Sequence, residues 1–260
     1  MKKIFKYLGL LGICLFSFYY TEQVALYVKN KNPLMQEIKE KKDTLYVNSI
    51  DSILIDDLYI IPGLNGKEVN VNKSFSNMKD YETFNEEAII FNQIVPQISL
   101  KDNKNRIIIR GNSSKNAVSL IFESNNYLAN ALLEKKNTVN ILITKESYDT
   151  NYEMINDATN EKTYNNIDKY LTKNKINKDL CYVKNSTPKY CKGKYLFKPS
   201  LILNHSNLSK NINKIEAGEI ILIEDSVTLS ELELLTKQIE NKNLKIVPLS
   251  NLIEETNKVD

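Results

Sequence analysis

A carboxylate, a hydroxyl and an amide in succession, Glu123-Ser124-Asn125, end the apolar run Val118 to Phe122. A short run of that kind suits a strand buried on both faces, and a carboxylate at its tip stands where a sheet enzyme would keep its catalytic groups. The alternative is a solvated or hydrogen-bonded carboxylate with no chemical task. The chain has one histidine, His205, which follows the apolar run Leu201 to Leu203 in Asn204-His205-Ser206. It either reaches the same rim as Glu123 or lies on the surface as a polar loop residue. Metal-assisted hydrolysis favours imidazole or mixed ligands around an open position, and one histidine cannot supply a pair of imidazoles.

The elements that would carry Glu123 follow from its neighbours. Leu128, Ala131 and Leu132 recur at helical spacing after the first strand, and a second apolar run, Val139 to Ile143, comes next. A parallel pair joined by a helix puts both strand C-termini on one rim, where ligand chemistry gathers in such folds. Further on, a helix is expected to open at Thr163 with Tyr164, Ile167, Tyr170 and Leu171 on one face. Tyr195 to Leu203 reads as a strand broken by Lys198-Pro199. Thr228 and Glu231 form a capping-box pattern for a helix with Leu229, Leu232, Leu235 and Ile239 on its buried stripe. Upstream, strands are expected at Leu45 to Val47, Ile53 to Ile55 and Arg106 to Arg110, a hairpin within Gly63 to Asn72, and a helix over Tyr81 to Phe91.

The stretch Ala117 to Thr144, AVSLIFESNNYLANALLEKKNTVNILIT, resembles the start of the NodB-homology polysaccharide deacetylases, carbohydrate esterase family 4. Gly218 to Asp225, a helix, and Leu244 to Ile253 are similar to that family's closing segment. The resemblance covers roughly residues 115 to 255. It implies an α/β fold, an incomplete or distorted (β/α) barrel of the NodB type, and a family chemistry in which an Asp and two His hold a divalent metal such as zinc beside an Asp base. The matching positions here depart from that set. Glu123 falls at the base position and Ser124 at the metal-binding carboxylate; Asp157 and Glu161 stand for the two imidazoles, and Glu224 for a late histidine. The resemblance therefore implies no retained cofactor. Carboxylates alone would suit a hard ion such as Ca²⁺ or Mg²⁺, and four of them would repel one another without a lysine or a cation. Asp157 and Glu161 are accordingly expected on a solvated loop or helix away from Glu123.

Basic and acidic residues number 35 and 32, for a formal net charge of +3, and the arginines are Arg106 and Arg110 alone. Interspersed charge with so little arginine excludes a nucleic-acid partner. Lys2, Lys3 and Lys6 precede the uncharged run Tyr7 to Tyr20, which marks export. No small-residue cleavage site follows, and a helix continuing to Val28 would be long enough to span, so residues 1–28 are expected to be an uncleaved membrane anchor, with a cleaved signal as the alternative. Residues 29–44 are expected as a charged stalk, 45–113 as an α+β extension and 114–257 as the NodB-like domain. The extension forms either a cap or the strands that a barrel so short lacks, since closed barrels need at least ~200 residues. In an exported region Cys181 and Cys191 are expected to form a local disulfide.

Three functions are compatible with these residues. One is a membrane-anchored, extracytoplasmic, inactive deacetylase-like protein that binds cell-wall polysaccharide, peptidoglycan or an envelope partner. Another is an active carbohydrate deacetylase with an oxygen-rich site, and the third a purely structural ectodomain. A rim that stacks sugar rings would use Tyr127, Tyr148 or Tyr152.

Overall fold

The computed structural model describes residues 2–123, 127–134, 139–146, 149, 151–174 and 179–256, with side chains from residue 11 onward. The chain forms two compact units, Met1–Asn48 with Gly66–Ile94, and Ser49–Asn65 with Val95–Asp260. The expected division at residues 113 and 114 does not coincide with either.

In the first unit a long helix, Lys2–Lys31, is followed by a second, Pro33–Lys41, started by Asn32, whose side chain accepts from the N–H groups of Leu34 and Met35. Leu34 and Ile38 pack with Val69 and Met78 in a small core. The segment expected as a free stalk is thus anchored by its own apolar stripe. Helix Val71–Met78, capped by Asn70, lies between two strands, Gly66–Val69 and Phe91–Ile94, that pair antiparallel. This pairing replaces two local expectations. The expected hairpin within residues 63–72 gives way to a distant partner, and the expected helix over 81–91 shrinks to the turn Glu86–Ala88 because Phe91 is drawn into the ladder. Among the described residues no helix is long and apolar enough to cross a membrane. Along Lys2–Lys31, Leu11, Ile13, Phe16 and Phe18 are all exposed.

The second unit is mixed α/β. One sheet runs in the order Leu201–Leu203, Ile220–Ile223, Ala117–Glu123, Val139–Ile143, Tyr152–Asn156, all parallel, with Lys245–Ile246 also paired to the Ala117 strand. The other runs Ile53–Ile55, Tyr59–Ile61, Ile107–Ile108, Tyr195–Phe197, Leu180–Tyr182, and is parallel except at its first pair. Strand parity sorts the side chains. Ile121, Leu142, Ile155, Leu180, Phe197 and Leu222, drawn from both sheets, share one apolar cluster. The alternate residues Leu120, Phe122, Ile141 and Ile223 pack instead with helix residues such as Leu128, Ile167 and Leu235. Inward and outward sets of this kind define a barrel interior and a helix-covered wall. The extension supplies missing strands, because Ile107–Ile108 pairs directly with Tyr195–Phe197.

The barrel is interrupted. Tyr152–Asn156 lies beside Leu180–Tyr182, but the two belong to separate sheets. At another junction the backbones of Gly111 and Gly218 meet, with Gly111 N–H donating to Gly218 O at 2.7 Å. Gly218 has φ +90°, and a Cβ there would stand 2.4 Å from Gly111 O, so only glycine fits. Helix Leu249–Ile253 closes the N-terminal end of the interior with Leu249, Leu252 and Ile253. Asn140 at that end donates to Ser119 Oγ at 2.8 Å and accepts from Leu249 N–H at 2.8 Å, which satisfies a buried amide. Glu123 lies at the opposite, C-terminal end of its strand.

Candidate functional site

Continuing the inward parity by one step from Ile121, Ile155, Leu180 and Leu222 gives Glu123, Asp157, Tyr182 and Glu224 at the C-terminal mouth. The ladders hold these tips in step. Ile223 pairs with Phe122, so Glu123 and Glu224 follow side by side, and Asp157 N–H extends its ladder by donating to Ile143 O at 2.9 Å. Lys184, two residues past Tyr182, donates to Asp157 Oδ2 at 2.9 Å and lies 5.6 Å from the centre of the Tyr182 ring.

The converging groups act on one another electrostatically. Burial raises Glu123 above the ordinary carboxylate value, Asp225 and Glu224 raise it further, Lys184 pulls it down, and Asp157 adds a smaller upward push. Burial, followed by Asp157, Glu123 and Glu224, pushes the Tyr182 phenol up to about 12. Tyr182 is therefore a neutral donor at physiological pH.

Beside the mouth is a groove of about 240 Å³ lined by Asp157, Tyr164, Tyr182, Lys184, Asn185 and Tyr190, among others. The rings of Tyr164 and Tyr190 lie 4.3 Å apart, and Tyr190 Oη donates to Ala158 O at 3.2 Å. Among the described residues the buried Tyr164 hydroxyl has no hydrogen-bond partner. Cys181 and Cys191 are bonded, with Cα atoms 5.8 Å apart, inside the span a disulfide allows. The bond closes the segment that carries Tyr182, Lys184, Asn185 and Tyr190, so it braces one wall of the groove.

Of the residues singled out from the sequence, Glu123, Asp157 and Glu224 come together. Asp157 was expected elsewhere; its strand ends one step short of it, and parity turns it inward. Glu161 does not join them, because it is the exposed first residue of helix Glu161–Lys173, which Asn160 caps by accepting from Thr163 N–H. His205 is engaged by another carboxylate. Its Nδ1 pairs with Glu231 at 2.9 Å, on a side chain 69% exposed. Ser124 and Tyr148 lie outside the described residues. Tyr127 is exposed, and Tyr152 is buried in the helix-side core with its hydroxyl on Asn130, so the groove uses other tyrosines. Lys184 and Tyr182 escaped the sequence reading; alternation along Leu180, Tyr182 and Lys184 was the available signal.

Among the described residues the donors differ from the imidazole- or thiolate-bearing set usual for zinc. The mouth offers carboxylate oxygens without imidazole, and a lysine ammonium already occupies Asp157. Among the described residues no three His, Cys, Asp or Glu are placed to hold a metal.

No family model matches the chain. A solved structure of wild-type BA3943, a CE4 family pseudoenzyme from Bacillus anthracis, superposes with a TM-score of 0.54 at 14% identity, covering 86% of this chain and 95% of that one. The chain shares the fold of that carbohydrate esterase family 4 protein. A BA3943 mutant described as having restored enzymatic activity superposes equally well, with a TM-score of 0.54 at 14% identity over 86% of this chain and 98% of that one. In sequence, the uncharacterized protein YlxY of Bacillus subtilis (strain 168) is 28% identical over 106 residues, which span 40% of this chain and 33% of that protein.

Proposed function

We propose that this chain is a deacetylase-like protein without deacetylase activity, which binds cell-wall glycan in the tyrosine-lined groove beside the barrel mouth. The observation that carries the reading is the 2.9 Å contact of Lys184 with Asp157. An ammonium stands among the carboxylates where metal-assisted amide hydrolysis would need a Lewis acid and an activated water. A barrel of like fold is itself a pseudoenzyme. For glycan, the groove offers what sugars require: aromatic faces for the apolar sides of the rings, and hydroxyl, amide and carboxylate groups for their edges. The unpartnered Tyr164 hydroxyl is a hydrogen-bonding group left for a ligand or water to satisfy. For location, we place the N-terminal helix against a membrane surface and the barrel outside the cytoplasm. The lysines at its start and its exposed apolar side chains support this placement.

The test is co-sedimentation of the full-length protein with insoluble peptidoglycan, together with acetate release from N-acetylglucosamine oligomers. Binding that Tyr190→Ala weakens at least tenfold, with no acetate released, is expected. Acetate release abolished by EDTA would establish the oxygen-rich enzyme instead. Absence of binding to any wall glycan would leave the barrel as a scaffold.

A further inference from the structure

Pro188 lines the mouth groove and also a second, larger groove of about 450 Å³. This second groove is walled by Lys104, Lys189, Lys192, Lys194, Cys191 and Leu196, with smaller polar residues between them and, among the described residues, no carboxylate. Acidic residues are almost as numerous as basic ones in the chain, 32 against 35, so this lining reflects segregation and not composition. The lysines also come from two distant segments that the fold brings together, which a basic run in the sequence would not require.

The lysines differ in what they can offer. Lys194 is ion-paired with Asp168, and both side chains are largely buried. It fixes the wall and brings little net charge. Lys104 stands 4.4 Å from the centre of the Tyr195 ring, which orients its ammonium. Lys189 and Lys192 are exposed, and no ion pair is found for either among the described residues. Their backbone is set by the disulfide at Cys191, by Lys192 N–H donating to Lys189 O and Lys194 N–H to Cys191 O, and by Gly193 at φ +86°. Two exposed ammonium groups on a pinned turn, Lys189 and Lys192, therefore face a partly apolar cleft with a third, Lys104, on its other wall.

We propose that this groove binds a phosphate-bearing polyanion through Lys104, Lys189 and Lys192. Ammonium groups act as point charges that can hold phosphates without a fixed bidentate geometry, and a flexible polyanion supplies several negative charges to match several separated lysines. The site is separate from the mouth groove and stands whether or not that groove binds glycan.

The probe is a linear polyphosphate of about ten units, titrated calorimetrically into the full-length protein in a neutral detergent at 50 and 200 mM NaCl. By analogy with single-stranded polyanions, each neutralised phosphate contributes about −0.7 to the slope of log K against log salt. Three lysines give a slope of about −2, or roughly twentyfold weaker binding over that range. Lys189→Gln with Lys192→Gln should lower affinity at least tenfold at 50 mM and reduce the slope to about −0.7. A charge-matched control, Lys210→Gln with Lys237→Gln, both exposed and outside the groove, should bind as the parent does. Failure of the parent to bind, or equal losses in the two double variants, would overturn the proposal. Inorganic phosphate binding as tightly per phosphate as the polymer would overturn its polyanion specificity.

Discussion

Replacing Lys184 with Met removes the cation that faces the mouth carboxylates while keeping most of the side-chain volume. Two unit charges ~4 Å apart interact by about 1 kcal/mol in water and about 4 kcal/mol at an effective dielectric of 20. Asp157 is 14% exposed but Lys184 is 50% exposed, which places the pair toward the weaker limit. Ordering two side chains offsets part of the gain, so Lys184→Met should cost about 0.5 to 1 kcal/mol at neutral pH, or roughly 1 to 4 °C in Tm for a domain of this size. The pH dependence is more diagnostic. Glu123 binds its proton more tightly in the fold than in the unfolded chain, so its contribution falls as pH rises from the ordinary 4.5 through its raised folded value, and is constant above it. Without Lys184 that value rises further, and the loss deepens and extends upward in pH. At pH low enough to discharge the mouth, parent and variant should unfold together. Thermal unfolding of both proteins from pH 3 to 8, with the Glu123 carboxyl followed by carbon NMR, checks this. Equal stability at pH 7 with an unmoved Glu123 titration would refute the placement of Lys184 as the counter-ion.

Replacing Cys181 and Cys191 with Ser opens a loop whose ends are 10 residues apart, and should cost about 2 to 3 kcal/mol in denaturant unfolding. The parent should resist alkylation of both thiols until a reductant is added. Gly218→Ala should destabilise the barrel by at least ~2 kcal/mol, because the added Cβ would meet Gly111 O and the backbone has positive φ; an unchanged Tm would show that the junction relaxes freely. His205→Ala should change stability by no more than ~0.5 kcal/mol in the same assay, since its pair with Glu231 is exposed.

Where local pattern decides structure, the sequence was informative. The strand, helix and strand of residues 117–143 form as their apolar periods require, Lys198-Pro199 breaks one strand into two, and Thr228 with Glu231 forms a reciprocal cap. Where distant pairing decides, local pattern was silent. Phe91 leaves an apparent helix for a ladder with Val69, and Ile107–Ile108 enters the barrel beside a strand almost ninety positions later. The site follows the same division. Glu123 was legible as a strand tip, but the neutralising Lys184 reaches Asp157 from another strand, and that meeting depends on how the two sheets close.

The central claim is that a lysine stands in the mouth where a metal enzyme would keep its ion. Equilibrium dialysis of the full-length protein against micromolar zinc, followed by elemental analysis, tests it most directly. Zinc well below one equivalent, unchanged in Glu123→Gln, is the predicted result. One tightly held equivalent per chain, lost in Glu123→Gln or Asp157→Asn, would contradict it.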